Sequence, residues 1–150
     1  MKLGQFCKRE VTCFEHSADI AAASQLMRER HVGFLVVFKE GDALRKPIGV
    51  LTDRDIVLQV TARLIDPRAV TAADVMTPEP MIARSDDELD DLVQAMHIAG
   101  IRRVPIVDER GALSGIVALD DVIGVLASLL NSLAGSIKNQ QFREWSARRG

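Results

Sequence analysis

Gly49-Val-Leu-Thr-Asp-Arg-Asp55 and Gly115-Ile-Val-Ala-Leu-Asp-Asp121 decide how this chain is read. Each opens on glycine, continues through two apolar residues and ends in acidic residues. Each then runs into an apolar pattern of helical spacing: Ile56, Val57 and Val60 after the first, Val122, Ile123 and Leu126 after the second. Carboxylates suit the first turn of a helix, where the backbone dipole is positive. The phrase is a strand delivered into a helix, and it occurs twice, 66 residues apart.

The repeat extends upstream. Polar turns Lys39–Lys46 and Asp108–Ser114 precede the two strands, and short apolar runs, Phe34–Phe38 and Val104–Val107, precede the turns. Their length and β-branching predict strands. Further back, Ile20, Ala23, Ser24 and Met27 share one helical face, as do Leu89, Leu92, Val93 and Met96, 69 residues on. Ser17 is placed to cap the first helix, and Ser85 with Glu88 has capping-box spacing at the second. The first copy is three residues longer in its strand–strand turn, which a hairpin loop tolerates.

The predicted fold is therefore mixed α/β, with two β-α-β-β-α copies about a pseudo-two-fold axis and a C-terminal helical extension. Residues 5–65 form the first copy, 74–130 the second and 131–150 the tail, with Thr61–Ala73 as linker around Pro67.

These phrases, in order and twice over, resemble the CBS (cystathionine-β-synthase) domain pair, or Bateman module. Asp74-Val-Met-Thr-Pro78 is similar to the segment that opens a CBS repeat, and Gly100-Ile-Arg-Arg-Val-Pro-Ile-Val107 to its central strand. The resemblance covers roughly residues 5–130. It implies two clefts between the copies that commonly hold adenine nucleotides (AMP, ADP or ATP) or S-adenosyl compounds, with no cofactor required. In the family pattern Gly-x-x-Thr/Ser-x-x-Asp, the aspartate takes the ribose hydroxyls and the hydroxyl meets the first phosphate. Those positions are Thr52 and Asp55 in the first copy, and Ala118 and Asp121 in the second.

The residues support the same chemistry without the family. A hydroxyl and a carboxylate three apart at a helix start face one side. Free N–H groups there favour a phosphate. The plainer alternatives are that Thr52 and Asp53 cap the helix and that Asp55 is a solvated first-turn acid. The resemblance further implies that the opening strand of the opposite copy, with Met81 and Ile82, lines the base pocket, and that Val50 closes the same slot. Arg103 is the expected phosphate partner, with Arg54 beside it. Arg102 and Arg103 are adjacent on a predicted strand, so at most one should serve a given pocket. The copies are not equal. Ala118 lacks the hydroxyl of Thr52, Gly33 and Phe34 stand where the second copy has Arg102 and Arg103, and Gln5-Phe-Cys-Lys-Arg9 replaces the family's opening phrase. One strong cleft and one weak or empty cleft are expected.

The remaining features exclude more than they assign. Hydrophobic residues make up 47% of the 150, enough for a sizeable core, and a net charge of −2 speaks against a general nucleic-acid or membrane-surface role. Cys7 and Cys13 cannot build a secreted-type disulfide framework and are expected to be reduced thiols. No leader pattern is seen at the N-terminus, and the longest apolar run, Val122–Leu130, is broken by Gly124 and Ser128, so a cytoplasmic protein without a membrane span is expected. His16, His31 and His97 are scattered without metal-site spacing, and Asp86, Asp87, Asp90 and Asp91 read as a solvated face rather than a Mg²⁺ site. No nucleophile–base pattern or P-loop is present, so no catalysis is expected.

In the tail, Val122, Leu126, Leu129, Leu130, Leu133 and Ile137 follow one helical stripe, ahead of Lys138, Arg143, Arg148 and Arg149 with Phe142 and Trp145 between. The plainer alternative is a helix packed on its own module; the preferred reading is a partner contact in a homodimer, ahead of nucleic-acid binding. The function expected is reversible binding of an adenosine-containing ligand, with signalling to an unidentified protein effector or through the dimer. The alternatives are a ligand-free dimerisation or scaffolding module and, less favoured, a nucleotide hydrolase.

Overall fold

In the computed structural model, which describes residues 1–5 and 7–147, the chain divides into two compact units, Met1–Val117 and Ala118–Gly150. The first contains two sheets. β1 (Cys13–Glu15), β2 (Phe34–Phe38), β3 (Gly49–Thr52) and β4 (Thr77–Pro78) stand in that order in one, and β5 (Ala83–Arg84), β6 (Arg103–Val107) and β7 (Leu113–Ala118) in the other. Between β1 and β2 runs α1 (Ile20–Arg30); the corresponding helix of the second copy is α4 (Leu89–Ala99). The order matches the predicted strand–helix–strand–strand–helix in each copy.

β1 lies parallel to β2, and β3 pairs antiparallel with β2, Leu35 opposite Leu51 and Val37 opposite Gly49. The β-branched centre of β2 is buried on both faces, so the strand is continuously apolar rather than alternating. Beneath it pack Ile20, Ala23 and Met27 of α1, the face read from the sequence spacing. Both helices end in a left-handed residue, His31 after α1 and Gly100 after α4, 69 positions apart.

The two copies exchange their opening segments. β4 belongs to the second copy, yet it pairs with β3 of the first, Thr77 opposite Val50. Reciprocally, Lys8 of the first copy bridges Ile116 of the second. Glycine makes both crossings possible. A Cβ on Gly49 would collide with the thioether of Met76, and one on Gly115 would lie 2.8 Å from the carbonyl oxygen of Lys8 and 3.1 Å from the Cys7 sulfur.

Two local expectations, both of helix caps, need correction. The cap of α1 is Asp19, whose carboxylate accepts from Ala22 N at 2.8 Å; Ser17 instead donates to Glu40. Glu88 makes no cap bond at α4, because Lys2 and the N-terminal amine each hold it at 2.7 Å. Those two cations keep the Glu88 carboxyl down at about 2, the Lys2 hydrogen bond being the larger cause. The linker Thr61–Ala73 is packed rather than loose. Ile65, Val70 and Ala72 join the first copy's core, and α3 (Ala72–Val75) begins with a Thr71–Asp74 capping box. The tail from 131 continues the last repeat helix without a break, as the stripe from Val122 to Ile137 implies, and the two are one helix, α5 (Leu119–Ala147). No proline interrupts it, and Ser128, Ser132 and Ser136 each donate back to the carbonyl four residues earlier.

By length and composition α5 is also apolar enough to cross a membrane, with an 18-residue window of mean hydropathy 1.2. The sequence reading missed this because Gly124 and Ser128 interrupt an apolar run without lowering a window average much. Arg148 and Arg149 of the expected basic end, and Phe6 of the opening phrase, lie outside the described residues.

Candidate functional site

The start of the helix after β3 is fixed by two side chains. Thr52 is the N-cap of α2 (Asp53–Ile56), which continues as a π-helical turn over Val57–Thr61. The Asp55 N–H donates to Thr52 Oγ1 at 3.0 Å, and the Thr52 N–H donates to Asp55 Oδ2 at 2.9 Å. This reciprocal capping box realises the plainer alternative for Thr52. For Asp55 it gives a structural task the sequence reading did not foresee, while Asp53 Oδ1 accepts from the first-turn Arg54 N–H at 2.8 Å. Asp53 also packs against Gly33, where a Cβ would sit 2.5 Å from Asp53 Oδ2.

Capping does not exhaust either group. A threonine hydroxyl that accepts one hydrogen bond still has its proton to donate, and a carboxylate has about four acceptor positions, of which the cap uses one. Both remain partly exposed. They open onto a cleft of about 450 Å³ within the first unit, inside the size range of small-ligand sites.

Of the residues expected from sequence, Val50, Thr52, Arg54, Asp55, Met81, Arg102 and Arg103 line this one cleft. Ile82 does not. Successive residues of an extended chain point to opposite sides, so with Met81 facing the cleft Ile82 is turned away and is 48% exposed. The adjacent arginines break the expected alternation. β6 begins at Arg103, so Arg102 lies before the pleat and both reach the cleft. The Arg103 guanidinium stands over the Phe34 ring, 5.8 Å from its centre, which positions it while leaving N–H groups for an anion. Asp121 lies in the first turn of α5, in the other unit.

Sequence reasoning missed Phe34, Thr77, Glu79 and Pro80, which also line the cleft. The crossing of β4 onto β3 brings Thr77 and Glu79 there. The available signal was their place next to Met81 in the opening segment. Phe34 was noted only as the position lacking an arginine, whereas its ring carries Arg103.

The arrangement offers an apolar slot between Val50 and Met81, a hydroxyl and a carboxylate at a helix start, and arginines from the other copy. Residues 3–61 and 72–128 each match the family model described as CBS domain. The chain belongs to the CBS domain family. It is 36% identical over 127 residues to the CBS domain-containing protein YhcV of Bacillus subtilis, covering 85% of each chain. Its fold matches a CBS domain protein from Pyrobaculum aerophilum, complexed with AMP, with TM-score 0.74 and 22% identity over 87% of this chain and 99% of that one. It also matches the CBS domain pair of protein MJ0100, in complex with 5′-methylthioadenosine and S-adenosyl-L-methionine, with TM-score 0.72 and 22% identity over 85% and 97% of the two chains.

Among the described residues of this CBS pair, no group of three or more His, Cys, Asp or Glu side chains is gathered as a metal site would need. Cys7 and Cys13 are both unbridged. Burial pushes the Cys13 thiol up, opposed by the nearby Arg45 guanidinium, so its nucleophilic thiolate form is disfavoured.

Proposed function

We propose that this CBS pair is a non-catalytic cytoplasmic sensor that binds an adenosine-containing ligand in the Thr52–Asp55 cleft. The ligand is an adenine nucleotide or an S-adenosyl compound. The carrying observation is that Thr52 and Asp55, fixed at one helix start, share a cleft with Arg102 and Arg103 of the opposite copy and with the apolar Val50 and Met81. In this reading Asp55 accepts from the ribose hydroxyls, and Thr52, with the arginines, meets the phosphate or other charged group. The base lies between Val50 and Met81. Because the lining comes from both copies, a ligand that favours one arrangement of the copies shifts their equilibrium, and that shift is the signal to a protein effector or to a second chain. Two proteins of the same fold, solved with AMP and with S-adenosyl-L-methionine and 5′-methylthioadenosine, support the ligand class.

The capping box favours a second reading, a ligand-free scaffolding module, since Thr52 and Asp55 already satisfy each other. A thermal-shift screen of AMP, ADP, ATP, S-adenosyl-L-methionine and adenosine, followed by calorimetry, separates the two. Sensing requires a concentration-dependent rise in melting temperature and about one tight site per chain. No shift with any of the five leaves the scaffold.

A further inference from the structure

The opening segment of the first copy borders a second concavity, which the adenosyl reading does not use. A cavity of about 760 Å³ is lined by residues 8–13 together with Leu26 and Arg30 of α1. A cavity of about 330 Å³ is lined by both strand–strand turns. Arg9, Val11, Cys13 and Arg45 line both, so the two adjoin as one groove. Arg9, Val11 and Cys13 are alternate residues of an extended segment and share one side of it. The groove is not the second copy's counterpart of the Thr52–Asp55 cleft. Ile116, Ala118 and Asp121, which correspond to Val50, Thr52 and Asp55, are not among its described lining residues.

Its charge is one-sided. Lys8, Arg9, Arg30, Arg45 and Arg110 line it, and Glu10 is the single carboxylate among the described lining residues, in a chain of net charge −2. The arginines come from four separate places: the opening segment, the last turn of α1, the β2–β3 turn and the β6–β7 turn. The acids of the two turns are spent on the backbone. Asp42 accepts from the N–H groups of Leu44 and Lys46 at 3.0 Å each, and Asp108 from those of Arg110 and Ala112 at 2.8 and 2.9 Å. The turns are joined by the Leu113 N–H, which donates to Leu44 O at 3.3 Å. Among the described residues, Arg9, Arg30, Arg45 and Arg110 have no carboxylate partner. Arg45 is steadied by the Phe38 ring, 5.7 Å from its centre, and by the Cys13 sulfur.

Cations held together without counter-charges favour an anion that bridges them. Guanidinium forks suit phosphate, which they take through paired N–H groups. One phosphate cannot reach cations spread over two adjoining cavities, whereas a phosphate chain carries charge on every link. We propose that this groove binds an oligophosphate chain of three or more phosphates, free or as the tail of a nucleotide. The proposal does not depend on what the Thr52–Asp55 cleft binds.

The test uses the full chain and sodium tripolyphosphate without divalent metal. Calorimetry should show binding that weakens as salt rises. Replacing both turn arginines, Arg45→Met with Arg110→Met, keeps their apolar stems and should weaken binding by about 100-fold, about tenfold for each guanidinium. Arg102→Met with Arg103→Met, in the other cleft, should leave it unchanged. Melting temperatures without ligand check that each variant folds. A second measurement needs no variant. Cys13 lines both cavities, so tripolyphosphate should slow its alkylation by iodoacetamide in the parent, read by mass spectrometry separately from Cys7. Protection at lower concentration by tripolyphosphate than by ATP assigns the free chain, and the reverse assigns a nucleotide tail; both support the site. The proposal is overturned by a parent that does not bind, by unchanged affinity in the folded Arg45 and Arg110 double variant, by loss in the Arg102 and Arg103 double variant instead, or by an unprotected Cys13.

Discussion

The helices after β3 and β7 descend from equivalent positions of a repeat and have diverged in opposite directions. After β3, Thr52 and Asp55 close a capping box, and the helix is short, passing into a π-helical turn at Val57–Thr61 before the chain turns back to pack Ile65 and Val70 on the first copy's core. After β7, Ala118 stands where Thr52 does, and the helix runs on for 29 residues. The first retains the hydroxyl that a phosphate would meet. The second lacks it and carries instead a long apolar strip. The two equivalent junctions thus present different surfaces, a polar helix start beside a cleft in one copy and a long apolar strip in the other, and substitution at each tests what that surface does.

The largest expected effect is at Asp55. Charge-assisted hydrogen bonds are worth roughly 1.5–3 kcal/mol, so Asp55→Ala should weaken binding of the best adenosyl ligand by about 10–100-fold by calorimetry. Because Asp55 is also half of the capping box, Asp55→Asn is the sharper variant. It keeps an acceptor for the Thr52 N–H while removing the charge from the ribose. Asp121→Ala should leave the tight site nearly unchanged, and equal losses in the two variants would erase the distinction between the copies.

A smaller effect is expected at the caps themselves. Thr52→Ala should destabilise the fold by about 1 kcal/mol in urea denaturation, the usual cost of losing an N-cap hydroxyl. Ala118→Thr supplies the missing hydroxyl and should raise stability by several tenths of a kcal/mol. If it also adds a second binding event per chain, the unequal clefts trace to this one side chain. Unchanged stoichiometry would place the cause elsewhere.

The entry helices offer the finest comparison. Asp19 caps α1, so Asp19→Ala should cost about 1 kcal/mol. Glu88 at the same place before α4 makes an exposed ion pair with Lys2, and Glu88→Ala should be hardly measurable in global stability. Its signature is titration. The folded Glu88 carboxyl is depressed to about 2 from its ordinary 4.5. Its contribution is therefore complete above pH about 4.5 and is lost as pH falls towards 2. Carboxyl NMR should find Glu88 titrating near 2, and Lys2→Met should move it up. An ordinary midpoint in the parent would show that the pair does not hold in solution.

How much of this was legible beforehand differs between fold and site. The repeat was legible because helical and strand periodicities are local properties, and Ile20, Ala23 and Met27 face the core as their spacing requires. Most of the cleft was legible through the family pattern rather than through physics. The misses share one cause. Asp19 took the cap expected of Ser17, and Glu88 was drawn away from its helix by cations 86 and 87 positions earlier in the chain. Composition marks such residues as capable of capping but cannot say what else will compete for them.

The sequence by itself determined the two-copy architecture, the strands and helices of each copy, and the inequality of the two junctions, because each is written in neighbouring residues whose backbone preferences and burial act locally. Only the tertiary structure decided the contacts by which the exchanged opening segments cross, Met76 over Gly49 and Cys7 over Gly115. It also decided that Arg103 lies on Phe34 and that Thr77 and Glu79 enter the cleft. Those contacts join residues far apart in the chain. Their free energy comes from burying surfaces that meet only once both copies have folded, and no local pattern records which surfaces those are.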